Sequence, residues 1–526
     1  MKCNVLVSDA LADAGIDVLR ESCNVTVKLG LTEAQIVKEI GKYHGLVVRS
    51  GTRVTKKIIK AARNLKIIAR AGVGVDNIDA AAATDAGIVV INSPRGNTLS
   101  AAEHALSLMM AMVRNIPAAD RSLRQGQWDR KTFVGTEVFH KTLGLLGLGK
   151  VGGVVAERAM AMGMKVIAFD PFASEEHAKR IGVGLVGFTT VLKQADIISL
   201  HMPHTRDTHH LIGAKELRIM KKGVRIVNAA RGGLIDEDAL FKALVSGKVA
   251  QAALDVFENE PATDNPLLTL PNVIATPHLG ASTMEAQVNV AVDVARQIVD
   301  FFNGIPPKSA INMPSVKPEI IASHKPYFEL AEKIGLFHAQ LLDGNIQSIH
   351  ITYAGRSAGM ETELITRYLL VGFLRPTMQD SVNFVNAPVL ISNRGVKLTE
   401  TTVEQAAKYK DLITVKVVTS KRTREVAGTL YDMDEIRIVM VDDYWMELVP
   451  QGHVLYVRHK DQPGLVGKVG TLLGDRNINI AGMQVGRENV RGRAIMCLTI
   501  DDDISKETIE ALSKIKGVAS VRLLTL

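Results

Sequence analysis

The stretch Leu143-Gly144-Leu145-Leu146-Gly147-Leu148-Gly149-Lys150-Val151-Gly152 decides the fold of the central part of the chain. Its apolar start predicts a buried strand, and a G-x-G-x-x-G turn follows that strand directly. We predict a helix over 154–162 and a second strand over 165–169, which ends at Asp170, eighteen residues after the last glycine. Strand, glycine turn, helix, strand and acid in this order predict a βαβ unit that binds a dinucleotide.

Each glycine in this turn has a mechanical role. Gly147 allows the tight turn, Gly149 lets the backbone approach the pyrophosphate, and Gly152 lets the helix pack closely on the strand. The helix N-terminus offers free N–H groups and a partial positive charge to the phosphates. Asp170 can accept hydrogen bonds from the adenosine ribose and would repel a 2′-phosphate. The sequence therefore predicts NAD, rather than NADP, as the cofactor.

Strand and helix patterns alternate along the first three hundred residues. Short β-branched runs predict four strands in the first hundred residues, at 5–8, 45–49, 65–70 and 88–92. A second alternation runs from 142 to 278, and a long helix over 283–302 is expected to return to the first lobe. These patterns predict an α/β fold with two doubly wound parallel-sheet lobes, one flavodoxin-like and one Rossmann-like, with a cleft between them.

The last two hundred residues have a different pattern. Strand patterns mix with a helical stretch near 361–373, without any catalytic spacing, which predicts an α+β domain. The final segment has the order β-α-β-β-α-β, which predicts a ferredoxin-like sandwich. The predicted domains, in chain order, are 1–97 together with 284–307, then 98–283, 308–452 and 453–526.

Composition excludes several classes of protein. Of 526 residues, 47% are apolar and 22% are charged, so a mainly disordered chain is excluded. The net charge of +8 comes from scattered Lys and Arg, which argues against a nucleic-acid partner. No apolar stretch approaches the ~18 residues that span a membrane. Cys3, Cys23 and Cys497 are predicted to be unpaired thiols, and the first residues resemble a strand rather than a signal peptide, so we expect a cytoplasmic protein without a metal site.

Three polar residues follow three consecutive predicted strands of the second lobe: Arg231, Glu260 and His278. Ligands of open α/β sheets bind at this edge. A histidine can take up and return the hydroxyl proton of a secondary alcohol near neutral pH, and a carboxylate stabilises its imidazolium. An arginine can hold a substrate carboxylate in a fork. Singly, such residues are more often strand caps, turn residues, or surface or packing residues than catalysts. Together they favour hydride transfer between NAD and a small 2-hydroxy acid.

The chain resembles the D-isomer-specific 2-hydroxyacid dehydrogenases over residues 1–310. The resemblance rests on the glycine turn and on four other motifs: Arg70-Ala71-Gly72-Val73-Gly74-Val75-Asp76-Asn77, Ala230-Arg231-Gly232-Gly233, Leu254-Asp255-Val256-Phe257 and Pro277-His278-Leu279-Gly280. It implies that Arg231, Glu260 and His278 carry out the chemistry and that Asp255 lies near the nicotinamide carboxamide. It also implies cofactor contacts from Lys150, Val151, Ala229, Ala230 and Gly280.

Further features resemble the branch of this family that acts on 3-phosphoglycerate. The resemblance assigns five residues to the substrate: Arg49, Arg70, Gly72, Asn97 and Arg130. Arg130 lies in the stretch Trp128-Asp129-Arg130-Lys131, which in relatives reaches a neighbouring subunit's site, so a homo-oligomer, commonly a tetramer, is implied. Val73 departs from the pattern, because relatives often have a threonine there that contacts the cofactor. The implied activity is NAD-dependent oxidation of 3-phospho-D-glycerate to 3-phosphohydroxypyruvate, the first step of L-serine biosynthesis.

The final segment resembles an ACT domain, a fold that binds small regulatory molecules, and 308–452 resembles the intervening domain of long-form members. The ACT resemblance rests on the stretches 458–464 and 477–482. It implies that His459, Asp461 and Asn479 hold L-serine as a feedback effector. Some relatives have Asn where this chain has Asp461, and an Asp can instead accept from the serine ammonium group. The alternative is a dimerisation module without a ligand.

Two other functions stay open at this point. A glyoxylate/hydroxypyruvate reductase, or another D-2-hydroxyacid dehydrogenase, shares the core motifs but does not need the phosphate-binding arginines or the C-terminal extension. An NAD-sensing corepressor-like scaffold would also keep the dinucleotide site, and the three candidate catalytic residues do not exclude it. The ACT-like segment favours an enzyme under metabolic feedback.

Overall fold

The computed structural model describes residues 2–314, 318–406, 408–432 and 434–526. These residues form four sheets, of five, seven, six and four strands. Two parallel sheets, a mixed sheet and an antiparallel sheet follow one another along the chain, which confirms the predicted fold class. Within these ranges no helix is long and apolar enough to cross a membrane, and no group of three or more His, Cys, Asp or Glu side chains could hold a metal ion.

The first sheet is parallel and covered by helices. Its strands are β1 (Cys3–Val7), β2 (Cys23–Val27), β3 (Gly45–Val48), β4 (Ile67–Arg70) and β5 (Val89–Ile91). Its helices are α1 (Asp13–Ser22), α2 (Glu33–Glu39), α3 (Lys56–Ala61) and α4 (Ala80–Asp85). The strand order is β2-β1-β3-β4-β5. The edge strand β2 was not predicted, because it is only partly buried and lacks the continuous apolar run of a central parallel strand.

The pairing of β1 with β2 corrects one expectation about the cysteines. The parallel register places Cys23 opposite Cys3, and the two side chains form a disulfide with their Cα atoms 4.9 Å apart. Cys497 is a free, buried thiol. The prediction of unpaired thiols is therefore wrong for Cys3 and Cys23. Twenty residues separate them along the chain, and only the strand pairing makes them neighbours.

The second sheet carries the glycine turn. Its strands are β6 (Thr142–Leu146), β7 (Lys165–Phe169), β8 (Gly184–Leu185), β9 (Ile197–Leu200), β10 (Val224–Asn228), β11 (Val249–Leu254) and β12 (Val273–Ala275). The accompanying helices are α5 (Thr98–Val113), α6 (Ile116–Arg124), α7 (Lys150–Ala161), α8 (Glu175–Arg180), α9 (Phe188–Gln194), α10 (Ala214–Ile219) and α11 (Glu237–Val245). The order β12-β11-β10-β9-β6-β7-β8 reverses direction at β6, and ligands of open α/β sheets bind at such a reversal.

Two helices lie where the chain passes between the two lobes. Helix α5 follows the first sheet and packs against α7 of the second lobe, whereas α12 (Met284–Phe302) follows the second sheet and packs against α1 of the first. The Oγ of Ser100 and the Oγ1 of Thr283 lie 2.6 Å apart and join the starts of these two helices. The return of the 283–302 helix to the first lobe is thus observed.

The C-terminal half contains the mixed and the antiparallel sheet. The strands are β13 (Ile346–Gly355), β14 (Lys397–Val403), β15 (Asp411–Thr419), β16 (Thr423–Tyr431), β17 (Glu435–Val441), β18 (Tyr444–Leu448), β19 (His453–Lys460), β20 (Ile480–Arg487), β21 (Arg493–Ile500) and β22 (Val518–Thr525). The helices are α13 (Pro318–Leu341), α14 (Thr362–Met378), α15 (Ala387–Asn393), α16 (Leu465–Asp475) and α17 (Lys506–Ser513). The order β20-β21-β19-β22 is that of the predicted ferredoxin-like sandwich, whereas the long helix α13 was not predicted.

One hydrophobic cluster spans the two C-terminal units, and the last unit has a second cluster of its own. Phe337 of α13 packs edge to face against Tyr456 of β19, with 6.3 Å between the ring centroids. The carboxylate of Asp343 accepts from Arg522 of the last strand at 2.5 Å. This half of the molecule also contacts the first lobe, where the Nδ2 of Asn383 donates to the carbonyl of Gly87 at 2.8 Å.

Candidate active site

The glycine turn at 147–152 connects β6 to α7. Gly147 has a φ of +102°, and a Cβ at this position would lie 2.5 Å from the carbonyl oxygen of His201, so only glycine fits. A Cβ at Gly152 would overlap the Gly147 carbonyl, whereas one at Gly149 would meet no atom within 4 Å. The backbone at Gly149 is therefore open to a phosphate. Helix α7 begins at Lys150, four residues earlier than predicted, because Gly149 is its N-cap.

Asp170 lies at the end of β7, beside this turn. Its Oδ2 accepts from the backbone N–H of Leu148 at 2.8 Å, and its Oδ1 accepts from that of Phe172 at 2.8 Å. A cavity of about 750 Å³ adjoins the turn and is lined in part by Gly149 and Lys150. The open helix start and the acid at the neighbouring strand end fit the pyrophosphate and the ribose of NAD.

The predicted catalytic residues lie at one edge of the second sheet. Strands β10, β11 and β12 are neighbours, and their register aligns the last residues of all three. Ala229, Ala230 and Arg231 directly follow the end of β10, Asp255 follows β11, and His278 lies three residues after β12. Parallel pairing thus gathers residues that are far apart in the sequence.

His278 and Glu260 form a hydrogen-bonded pair, with 2.8 Å between Nδ1 and Oε2. This hydrogen bond raises the pKa of His278 above its ordinary value, although burial works against it. Burial opposes ionisation of Glu260, but the hydrogen bonds from His278 and from the Phe257 backbone hold the pKa of Glu260 below its ordinary value. Because Nδ1 is engaged, Nε2 is the atom of His278 that remains to exchange a proton with a substrate.

A second histidine at this sheet edge is unsuited to acid–base work. His201 directly follows β9, but it is only partly exposed and its Nε2 lies 2.9 Å from the Ser199 hydroxyl. Burial lowers the pKa of His201 to about 4, so the ring stays neutral near pH 7. The side chain of His278, by contrast, is 49% exposed and is paired with a carboxylate. Position after a strand therefore does not suffice to define the base.

Asp255 fixes the loop that carries His278. Its Oδ1 accepts from the Thr276 hydroxyl at 2.6 Å and from the Leu279 N–H at 2.7 Å, and its Oδ2 accepts from the Gly280 N–H at 2.8 Å. The backbone N–H of His278 donates to the Asp255 carbonyl at 2.9 Å. Burial opposes the charge of Asp255, but the hydrogen bonds keep the pKa of its carboxyl below the ordinary value. The loop holds His278 in a left-handed conformation, with a φ of +55°.

Three arginines gather where the first lobe meets this edge. The Nε of Arg231 lies 3.4 Å from Asp76 of the first lobe. The Nε of Arg70 is buried and has no hydrogen-bond partner in the described part of the chain. Burial lowers the pKa of Arg70, and the nearby charges of Arg231 and Arg49 lower it further. Such a cluster fits an anion with both a carboxylate and a phosphate.

The other predicted substrate residues are less uniform in their placement. A Cβ at Gly72 would overlap the guanidinium of Arg70, so glycine is required there for this arginine to take its position. Asn97 is the N-cap of α5. Arg130 is exposed in the segment after α6 and makes no hydrogen bond or ion pair with any residue that the structure describes. The structure therefore shows no contact between Arg130 and the other predicted substrate residues.

The structure does not bring the three predicted serine-binding residues together: His459 and Asp461 lie at the end of β19, whereas Asn479 precedes β20, which pairs through β21 with the start of β19. His459 is 5% exposed, its Nδ1 lies 3.0 Å from the Lys460 carbonyl, and its Nε2 is buried without a partner among the described residues. The Oδ2 of Asp461 accepts from the Arg491 N–H at 2.9 Å, which holds the pKa of Asp461 below its ordinary value. Asn479 donates to Asp501 at 2.6 Å.

Sequence reasoning missed two residues that support the site. Asp9 follows β1, and its Oδ2 accepts from the backbone N–H of Arg49 at 2.6 Å, so it fixes the turn that presents this arginine. Its position after a strand is a signal that could have found it. His104 lies on α5, with its Nε2 3.1 Å from the Oδ1 of Asp255. Nothing in its local sequence marks it.

Comparisons with known proteins agree with this geometry. Residues 106–280 match the NAD-binding domain of the D-isomer specific 2-hydroxyacid dehydrogenases, 323–442 the intervening domain of D-3-phosphoglycerate dehydrogenase, and 453–517 the ACT domain. The D-3-phosphoglycerate dehydrogenases of Archaeoglobus fulgidus and Bacillus subtilis are 46% and 44% identical to this chain, over 98% and 99% of both partners. The solved structure of the D-lactate dehydrogenase of Aquifex aeolicus, in complex with NAD and lactic acid, is also similar. The match covers 57% of this chain and 96% of that enzyme, with 27% sequence identity and a TM-score of 0.53.

The fold and the site define an NAD-dependent dehydrogenase of the D-2-hydroxyacid type. The narrower assignment follows from the relatives that match nearly the whole chain and from the two C-terminal domain matches. The chain belongs to the D-3-phosphoglycerate dehydrogenase family.

Proposed function

We propose that the protein oxidises 3-phospho-D-glycerate to 3-phosphohydroxypyruvate with NAD and so opens L-serine biosynthesis. The observation that carries the substrate is the cluster of Arg49, Arg70 and Arg231, in which the buried Nε of Arg70 lacks a partner among the described residues. The substrate has a carboxylate and a phosphate, and guanidinium groups bind both through paired N–H donors. The full-length relatives are named for this substrate.

The chemistry divides among three residues. Arg231 binds the carboxylate and orients the reacting carbon. His278 takes the hydroxyl proton on Nε2 as a hydride leaves the same carbon, and Glu260 stabilises the imidazolium that forms. NAD, when bound, supplies the ring that accepts the hydride. In the reverse direction, the imidazolium of His278 returns the proton to the keto oxygen.

We propose four domains. Residues 98–283 bind the cofactor, and residues 1–97 together with 284–307 bind the substrate. An intervening domain at 308–452 and an ACT domain at 453–526 follow along the chain. The proposed NAD contacts are Gly147, Gly149, Lys150, Val151, Gly152, Asp170, Ala229, Ala230, Asp255 and Gly280. The proposed substrate contacts besides the arginine cluster are Gly72 and Asn97.

Arg130 is proposed to act in a neighbouring subunit of a cytoplasmic homotetramer, because it is exposed in its own chain. Light scattering of the purified protein tests the tetramer, and cell fractionation tests its location.

L-serine is the proposed effector of the ACT domain, bound between paired domains by His459, Asp461 and Asn479, because Asn479 lies at the opposite end of the sheet from the other two residues within one chain. The support is the buried Nε2 of His459, which lacks a partner among the described residues and can bond to a ligand hydroxyl or carboxylate. The charge of Asp461 suits an ammonium group. Isothermal calorimetry with L-serine tests the binding, and D-serine is the matched control ligand.

One assay separates the proposed function from its rivals. Protein, NAD and 3-phosphoglycerate are mixed, NADH formation is followed, and L-serine is then added. We expect NADH to form, and to form more slowly with D-glycerate. Reaction with D-glycerate but not with its phosphate would favour a hydroxypyruvate reductase. No reaction with any 2-hydroxy acid would favour a scaffold, and insensitivity to serine would remove only the regulatory proposal.

A further inference from the structure

His104 connects the helix that crosses between the lobes to the loop that carries the candidate base. It lies on α5, one turn after Ser100, where the joint with α12 is made. Its Nε2 is 3.1 Å from the Oδ1 of Asp255 and 3.2 Å from the Oγ1 of Thr276. The side chain of Asp255 is 1% exposed, so this contact is made away from water.

The surrounding hydrogen bonds fix which atom carries the proton. The single hydroxyl hydrogen of Thr276 points to Asp255, because their oxygens are 2.6 Å apart and an ionised carboxylate can only accept. Thr276 can therefore only accept from His104. Both neighbours of the His104 Nε2 can only accept, so this nitrogen carries a hydrogen, which it directs to Thr276 while lying beside the Asp255 carboxylate.

His104 lies on a different structural element from the other polar partners of the Asp255 carboxylate. Thr276, Leu279 and Gly280 all belong to the loop around His278, so their bonds tie Asp255 to that loop. Among the residues that the structure describes, His104 is the polar side chain that reaches the carboxylate from another element. It therefore connects the carboxylate, and with it the loop, to α5.

We propose that His104 is a positioning residue for hydride transfer, which acts on His278 through Asp255. This inference rests on the proposed role of His278 as the base. Without His104 the carboxylate keeps its three donors from the loop but loses its side-chain contact with α5, and the loss of a polar partner of a buried charge is costly. The loop can then shift relative to α5, and a displacement of about 1 Å of a reacting group is enough to slow catalysis about 100-fold.

Three substitutions at His104 test this role. The Nε2 of Gln lies about as far along the side chain as that of His, whereas the amide of Asn falls short. We expect His104→Leu and His104→Asn to lower kcat by about 10- to 100-fold with little change in KM for 3-phosphoglycerate, and His104→Gln to recover most of the activity. A full kcat in His104→Leu would overturn the proposal. So would equal losses in His104→Leu and His104→Gln.

The pH profile separates positioning from a loss of folded protein. The charges of Glu260 and Asp255 raise the pKa of His278, whereas Arg231 and burial lower it. If Asp255 shifts in His104→Leu, the acid limb of kcat moves to lower pH. A smaller folded fraction would instead scale kcat equally at every pH, and that result would contradict the proposal.

His278→Asn distinguishes the inference from the function on which it depends. If this variant keeps its activity, the proposed role of the base fails. If it is inactive while His104→Leu is fully active, only the inference about His104 fails. Calorimetric titration with NAD and thermal unfolding of each variant show whether cofactor binding and folding are intact.

Discussion

The catalytic cleft and the ACT domain differ in how their candidate residues are held. In the cleft, three adjacent parallel strands end side by side. His278 pairs with Glu260, and Asp255 holds the loop that carries His278. Parallel strands place their carboxyl ends at one edge, so the fold itself gathers these groups. The cleft is thus organised by the protein alone.

In the ACT domain, each candidate residue is engaged by its own surroundings. His459 contacts the Lys460 carbonyl, Asp461 accepts from the Arg491 backbone, and Asn479 donates to Asp501. These contacts point to neighbouring turns rather than to a common centre. The difference teaches that the fold of one chain gathers the candidate catalytic residues, whereas it leaves the candidate effector residues at two ends of a sheet.

If the cleft acts as one unit, loss of the base should have the largest effect. We expect His278→Asn to lower kcat by about 10²- to 10⁴-fold and to leave NAD affinity nearly unchanged. The measurements are NADH formation from 3-phosphoglycerate and calorimetric titration with NAD. The matched control is His210→Asn, because His210 forms a similar 2.8 Å pair with Glu258 and also has a positive φ. An equal loss in both variants would contradict the assignment.

The arginine cluster should discriminate between substrates. We expect Arg70→Leu to raise KM for 3-phosphoglycerate by about 10- to 100-fold, since hydrogen bonds to charged groups contribute about 1.5–3 kcal/mol. KM for D-glycerate should change much less, because that substrate lacks the phosphate. Arg53→Leu is the control, as Arg53 is an exposed arginine of the same lobe. Equal increases in KM for both substrates would exclude a phosphate contact by Arg70.

The coupling of Glu260 to His278 should appear as a shift along the pH axis. Glu260 raises the pKa of His278, and oxidation needs the neutral ring, so removal of the carboxylate should extend activity to lower pH. We expect Glu260→Gln to move the acid limb of kcat/KM down by about one pH unit, with some loss of maximal rate. Glu258→Gln should leave the limb in place. An unmoved limb in Glu260→Gln would show that another group titrates.

The ACT residues should have the smallest effect on basal catalysis. We expect Asp461→Ala to weaken inhibition by L-serine about 10-fold or more, while kcat without serine stays within about twofold of the original. Initial rates over a serine titration measure both. A large loss of basal rate would mean that the last domain supports the cleft directly, and the contrast between the two regions would then fail.

Much of the fold could be predicted from local patterns. The glycine turn at 147–152 and the strand ends around it follow from residues that are close in sequence, as does the β-α-β-β-α-β order of the last domain. The edge strand β2 and the helix α13 were missed. The first is too exposed for its pattern to stand out. The second contains an internal proline, Pro326, which normally argues against a helix.

The candidate site was predictable only in part. Arg231, Glu260 and His278 could be found because each follows a strand or an apolar run. The disulfide of Cys3 and Cys23 could not be found, because strand pairing and not spacing makes these residues neighbours. The role of Asp255 in fixing the His278 loop was likewise hidden, since a sequence shows that a carboxylate is present but not which groups donate to it.

The sequence by itself determined the class of reaction. It did so through three features: the glycines of the turn, the acid after the second strand of the βαβ unit, and the polar groups after consecutive strands. These depend on local geometry, which neighbouring residues dictate. Only the tertiary structure decided that the imidazole of His104 lies beside the buried carboxylate of Asp255, 151 residues away in the sequence. Hydrogen-bond partnership depends on distance in space, and the packing of α5 against the second sheet sets that distance.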